Sequence, residues 1–158
     1  MTHAPGRSFL LAAGILYIVF GGLGILTSAG MLATVEYWNV LMPTETGMPV
    51  RVAALWNTYY TIAIVGSVFQ LFIGIMGAAN GNRPEKASLL RRLGIAGIGC
   101  VVLGTVFGTI LGAVIFTGAL AGGMAVFNLA IGLILPVLYI IGAQKNISAY
   151  SGGQPPQG

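Results

Sequence analysis

Four long apolar stretches follow one another along the chain, at about residues 8–32, 52–79, 93–116 and 120–143, and none contains Lys, Arg, Glu or Asp. A helix of about 20 residues crosses the roughly 30 Å hydrocarbon core of a bilayer. Each stretch reaches that length, whereas the alternation of apolar and polar residues that marks a membrane strand is absent. The pattern therefore predicts an all-α integral membrane protein, a four-transmembrane-helix bundle with up-down-up-down topology.

The same pattern divides the chain into one domain and a tail. Residues 1–150 are predicted to form a single four-helix transmembrane domain, and residues 151–158, which are rich in Gly, Pro and Gln, a disordered tail. The first stretch follows Arg7 and ends near small residues, as a signal peptide would, but it is longer than the usual apolar region of about 7 to 15 residues. We therefore interpret it as a permanent span.

The connections between the stretches differ in length. The longest, residues 33–51, contains Pro43 and Pro49 and is predicted to be either an irregular, partly helical lid over the helix ends or a plain connector. The connection at residues 80–92 continues from turn-forming residues into Pro84, which suits a first helical turn, and it predicts a short interfacial helix. The apolar side of this helix would face lipid through Leu89, Leu90 and Leu93, and its basic side would face headgroups through Lys86, Arg91 and Arg92.

Basic residues indicate the orientation, because Lys and Arg are retained in cytoplasmic connections. In the predicted topology, both termini and residues 80–92 share one side, and every cation except Arg51 lies on it. We therefore predict that both termini are cytoplasmic and that Glu36 is outside. The cations on the cytoplasmic side are Arg7, Arg83, Lys86, Arg91, Arg92 and Lys145. Aromatic rings are expected to mark the outer headgroup level, at Tyr37, Trp38, Trp56, Tyr59 and Tyr60.

The amino-acid composition further narrows the class of protein to which the chain can belong. Hydrophobic residues make up 56% of the 158 residues and charged residues 6%, and the mean hydropathy is +0.92. These values exclude a soluble domain, which carries about 25% charge, and a disordered chain. A single Cys, one His at position 3 and no Asp leave no set of metal ligands, no catalytic triad and no cofactor site, so the chain is predicted not to be an enzyme. The cations flank apolar stretches instead of forming a patch, which argues against nucleic-acid binding.

A row of small residues occupies one face of the third stretch. They recur every four residues and include two overlapping Gly-xxx-Gly pairs, the pattern of a glycine zipper. Helices in lipid associate through close van der Waals approach, which small residues permit. This face is predicted to pack against another helix, and a helix of the same chain is favoured over an oligomer interface. The row consists of Ala96, Cys100, Gly104, Gly108 and Gly112.

Neutral polar residues within the stretches form a second group of candidates. They could line a solute path, but polar side chains in lipid more often fasten neighbouring helices by hydrogen bonds. Pro136 removes the backbone hydrogen bond to Gly132, so a kink is expected between them, serving shape or a gating hinge. The polar candidates are Gln70, Asn128, Thr105 and Thr109, and the two threonines are expected to bond to carbonyls of their own helix.

These observations favour two functions. No ionisable residue lies within a stretch, which disfavours proton- or ion-coupled transport. The leading interpretation is a non-catalytic membrane protein that assembles with itself or with partner membrane proteins, as a scaffold or accessory subunit. The alternative is a passive channel or uncoupled small-solute conduit formed by a homo-oligomer. Both place the chain as a multi-pass protein in a cell membrane, in contact with the lipid bilayer, and the expected setting is the prokaryotic cytoplasmic membrane.

Overall fold

A computed structural model describes residues 4–41, 50–115 and 118–151, and within these ranges every regular element is helical. Four of the helices are long and apolar enough to cross a membrane. They are α1 (Arg7–Leu41), α2 (Val50–Asn80), α3 (Ala87–Ile115) and α4 (Gly118–Ser151), with a 3-10 turn at Pro84–Lys86. The prediction of an all-α protein with four candidate spans is therefore confirmed.

The helices extend beyond the apolar stretches from which they were predicted. Helix α1 continues through residues 33–41, so the first part of the predicted lid or connector is a continuation of that helix. Residues 42–49, the centre of that segment, lie outside the described part of the chain, as does the predicted tail from residue 152 onward. Helix α4 continues to Ser151, well past the expected end at residue 143.

The predicted interfacial helix is wrong as a separate element. The 3-10 turn runs directly into α3, and the backbone N–H of Ala87 already bonds to the Pro84 carbonyl. No residue between Ala87 and Leu93 breaks the helix, and an uninterrupted helix satisfies its backbone groups internally, as lipid requires. Leu90 consequently faces the protein and is fully buried, not lipid-facing, whereas Leu89 is exposed.

Helices α1 and α2 approach each other closely through glycines. A Cβ at Gly14 would lie 2.8 Å from the Gly74 carbonyl oxygen, and one at Gly74 would lie 2.7 Å from the Gly14 oxygen. A Cβ at Gly21 would likewise lie 2.9 Å from the Ser67 carbonyl oxygen. Residue numbers rise along α1 while they fall along α2, so the two helices are antiparallel. The close approach of small residues thus occurs here, where sequence analysis did not place it.

The core lies toward one end of the bundle, where all four helices meet. Tyr17 and Tyr139 pack there edge to face, with ring centroids 6.0 Å apart and an interplanar angle of 82°. The Tyr139 hydroxyl donates a hydrogen bond of 3.1 Å to the Ile73 carbonyl, which links α4 to α2. The buried residues of this core are Leu10, Ala13, Tyr17, Ile73, Leu90, Tyr139 and Ala143.

Asn146 closes the same end with two hydrogen bonds. Its Oδ1 accepts from the Gly6 backbone N–H at 2.7 Å, and its Nδ2 donates to the Gly81 carbonyl at 3.0 Å. The side chain is fully buried, so neither partner is exposed to competing water. Asn146 therefore ties the start of α1, the turn after α2 and the last turns of α4 to one another.

Candidate functional site: a crevice between α2, α3 and α4

Beyond the core, toward the other end of the bundle, a cavity of about 460 Å³ separates α2 from α3 and α4; we call it the crevice. Three aromatic residues, four neutral polar residues and a row of small residues form most of its lining. The volume is within the range of roughly 300 to 1,000 Å³ that is usual for ligand sites. The aromatic and polar residues are Trp56, Tyr59, Tyr60, Gln70, Thr105, Thr109 and Asn128, and the small ones Cys100, Gly104, Gly108 and Gly112.

A second cavity of about 400 Å³ adjoins the crevice; we call it the side groove. Residues of α2 and α3 alone line it, and most of them are apolar. The two cavities share Tyr59, Gln70, Cys100 and Gly104, so the polar crevice continues into the apolar groove. The groove is bordered by side chains exposed on the outer surface of the bundle, namely Ile62, Val65, Leu103 and Phe107.

The small-residue face of α3 lies along the crevice and is largely uncovered. A Cβ at Gly104 would meet no atom within 4 Å, and one at Gly108 would meet only the Tyr59 ring, with its hydroxyl oxygen at 3.6 Å. Ala96 is exposed and lines neither cavity. At Gly104 the favoured packing against a helix of the same chain is therefore not formed.

The four polar candidates, which sequence analysis treated separately, all line the crevice. The Thr109 hydroxyl donates to the Thr105 carbonyl at 2.7 Å, as expected for a threonine within a helix. The amides of Gln70 and Asn128 make no hydrogen bond with any described residue, and neither does the Thr105 hydroxyl. Among the described residues, these side chains form no hydrogen bond between helices.

The aromatic residues of the crevice form a small cluster. Trp56 and Tyr60 have ring centroids 5.4 Å apart, and Tyr59 and Tyr60 have centroids 5.1 Å apart in an edge-to-face arrangement. All three are half-buried, although sequence analysis assigned them only to the headgroup level. The buried indole N–H of Trp56 has no hydrogen-bond acceptor among the described residues.

Two further groups of predicted residues lie outside the crevice. Pro136 is buried within α4, which is one uninterrupted helix, and Gly132 packs against Val101. The kink between them stays a prediction.

The predicted headgroup residues are at the opposite end of the bundle from the crevice, where Arg91 and Arg92 are exposed and Lys86 is half-buried. The Arg91 guanidinium there donates to the Gln144 side-chain oxygen at 3.4 Å.

Sequence analysis missed the tyrosine pair of the core and Asn146. Asn146 lies just beyond the last apolar stretch, where sequence analysis named no structural residue. It also missed that the aromatic residues share a helix face with Gln70. That signal was present, since Trp56, Tyr59 and Tyr60 follow at intervals of three and four, and Gln70 is two heptads after Trp56.

The crevice is lined by hydrogen-bonding side chains and aromatic rings. Among its described lining residues none is charged, and the described residues contain no group of three or more His, Cys, Asp or Glu that could hold a metal ion. The arrangement therefore suits recognition of a neutral molecule or of another helix. Comparison of the chain with protein-family models, with curated protein sequences and with solved structures finds no match.

Proposed function

We propose that the chain is a non-catalytic, multi-pass membrane protein that assembles with itself or with partner membrane proteins, as a scaffold or accessory subunit. In this proposal the four helices cross the cytoplasmic membrane of a prokaryote in up-down-up-down order. The assembly is supported by the uncovered face of α3, where a Cβ at Gly104 would meet no atom within 4 Å. Another helix can approach the α3 backbone closely there, which is how helices in lipid gain packing energy.

The proposed orientation places both termini in the cytoplasm. Its support is the cation distribution, together with contacts that bring Lys145 over the Phe9 ring and Arg91 to Gln144 at the end closed by Asn146. Cysteines introduced singly at Ser88 and Thr46, in a Cys100→Ala background, test it on intact cells with a membrane-impermeant maleimide. Labelling at Thr46 only is the expected result, and labelling at Ser88 only would reverse the orientation.

The assembly is tested by Gly104→Leu with Gly99→Leu as its matched control. Both glycines are on α3 and both have open space where a Cβ would be, so neither substitution should disturb the isolated chain through a clash at Cβ. Only Gly104 lines the crevice. Gly104→Leu is expected to reduce the mass of the complex in detergent or nanodiscs, as measured by light scattering, while Gly99→Leu leaves it unchanged. A monomeric protein, or equal effects of both substitutions, would contradict the proposal.

A passive conduit is the second candidate, because Gln70, Thr105, Thr109 and Asn128 all line one cavity. The buried core ends this cavity within a single chain, so a path across the membrane would need several copies. Liposomes containing such an assembly should leak small polar solutes, and Gln70→Leu or Asn128→Leu should stop the leak without changing the assembly. Liposomes that stay tight while the complex is intact would exclude the conduit.

A further inference from the structure

We propose that the crevice and the side groove together bind one uncharged amphipathic lipid, with its polar head in the crevice and its apolar chain in the groove. This inference goes beyond assembly, because it requires no second protein. It rests on the continuity of the two cavities, whose lining changes from polar in the crevice to mostly apolar in the groove. The residues that they share are Tyr59, Gln70, Cys100 and Gly104. A molecule with the same gradient satisfies both cavities at once.

The chemistry of the head follows from the groups that lack partners. The Trp56 indole N–H is buried without an acceptor among the described residues, and the amide of the half-buried Gln70 has no partner among them either. The half-buried Thr105 on the facing helix likewise has no hydrogen-bond partner for its hydroxyl among the described residues. A buried donor without a partner, such as the Trp56 indole N–H, is unfavourable, and all three groups can donate a hydrogen bond. A head that carries carbonyl or ester oxygens would accept these bonds.

The head is uncharged because the crevice offers no counter-charge. Every described residue that lines either cavity is neutral. An ionised head would lose its hydration in the membrane without gaining an ion pair, which is strongly unfavourable. A neutral ester, by contrast, needs only the hydrogen bonds that the crevice provides.

The side groove provides the route of entry for the chain. It opens between α2 and α3, where Val65, Leu103 and Phe107 are exposed on the apolar surface of the bundle. Gly66 lines this opening, and a Cβ there would meet no atom within 4 Å. A lipid can therefore enter sideways from the bilayer and keep its chain in an apolar environment throughout.

The size of the crevice favours a lipid over a helix as its occupant. One turn of helix, about 10 Å in diameter and about 5.4 Å in pitch, fills roughly 420 Å³. The crevice, at about 460 Å³, would hold only one such turn, far less than a spanning helix presents. The same space suits a small ligand head. Gly104 lies where the two cavities meet, so a helix that packs against α3 there would compete with the lipid for the same surface.

The test uses the tryptophan of the crevice as its reporter. The chain has two tryptophans, so Trp38→Phe leaves Trp56 as the only one. Dioctanoylglycerol, an uncharged ester lipid, is titrated into this protein in detergent, and Trp56 fluorescence is measured. Dioctanoyl phosphatidylglycerol, which has the same chains and an anionic head, is titrated in parallel. We expect a saturable change with the neutral lipid and a weaker response to the anionic one.

Matched variants locate the binding. Gln70→Leu should weaken lipid binding about 3- to 30-fold, which is the equivalent of losing one hydrogen bond between helices in a membrane. Asn57→Leu should not weaken it, because Asn57 is an exposed amide on the same helix that lines neither cavity. Gly66→Leu should block the groove and weaken lipid binding. Gly30→Leu should not weaken it, because Gly30 has equally open space where a Cβ would be but lines neither cavity. Asn128→Leu applies the same test to the crevice amide on α4 and should also weaken lipid binding. Circular dichroism and thermal unfolding confirm that each variant is folded.

Each remaining outcome overturns the inference. No saturable change in the Trp38→Phe protein means that the crevice does not bind such a lipid. Equal effects of Gln70→Leu and Asn57→Leu place binding elsewhere, and tighter binding of the anionic lipid refutes the neutral head. The failure of assembly is recognised separately, because the mass of the complex is measured without added lipid. A monomer that still binds dioctanoylglycerol would refute the assembly alone.

Discussion

Replacement of Asn146 by alanine is expected to destabilise the bundle more than any other single truncation of an amide in the described chain. The side chain is fully buried and its two hydrogen bonds, of 2.7 and 3.0 Å, join segments far apart in sequence. Asn146→Ala leaves the Gly6 N–H and the Gly81 carbonyl without partners, and both residues are buried. An unsatisfied buried group reduces stability by about 1 to 3 kcal/mol, so the loss should be about 2 to 6 kcal/mol.

The assay is reversible unfolding of the purified protein in mixed dodecylmaltoside and dodecyl sulfate micelles, followed by tryptophan fluorescence. Ser148→Ala is the control, because Ser148 is exposed on the same helix two residues later. Surface substitutions usually change stability by less than about 0.5 kcal/mol, and the control should stay within that range. If Asn146→Ala also stayed within it, the two hydrogen bonds would not hold this end together and the reasoning would be refuted.

Three further predictions use the same measurements or liposomes. Gly14→Val should lower the unfolding free energy by about 1 to 3 kcal/mol because its side chain would collide with the Gly74 backbone, whereas Gly22→Val, in open space, should not. Tyr139→Phe should lower the unfolding free energy by about 0.5 to 1.5 kcal/mol, because it removes the hydrogen bond to Ile73. Tyr17→Phe should leave the unfolding free energy unchanged or raise it, since the buried Tyr17 hydroxyl has no partner in the described chain. Equal losses in the two variants would contradict both expectations. A proton gradient across liposomes should drive no solute uphill, because no charged residue lies within the apolar stretches; uphill transport would refute this.

Much of the fold was predictable because lipid imposes a simple rule on it. A spanning segment must be long, apolar and internally hydrogen-bonded, so the four helices could be read from hydropathy alone. Helix ends were less predictable, since polar residues do not end a helix by themselves. Residues 33–41 and 144–151 lie beyond the apolar stretches identified in the sequence, and they still continue their helices.

Which faces pack together was the part that sequence could not determine. Small residues occur on α1, α2 and α3 alike, and the choice between them depends on how the helices cross. Gly14 and Gly74 face each other across α1 and α2, whereas Gly104, in a more regular repeat, faces open space. The crevice could not be foreseen for the same reason. Its aromatic residues and Gln70 share a face of α2, but the gap beside that face is a property of the whole bundle.

The placement of the inter-hairpin contacts gives the molecule a mechanical property. The α1–α2 pair is in close contact through its glycines, and it is joined to the α3–α4 pair at the end where Asn146, Tyr139 and Tyr17 lie. Over a bilayer core of about 30 Å, a tilt of about 5° between the two pairs moves their far ends by roughly 3 Å. If the helices span a bilayer, we therefore expect changes in its lateral pressure or thickness to alter the width of the gap between the two helix pairs.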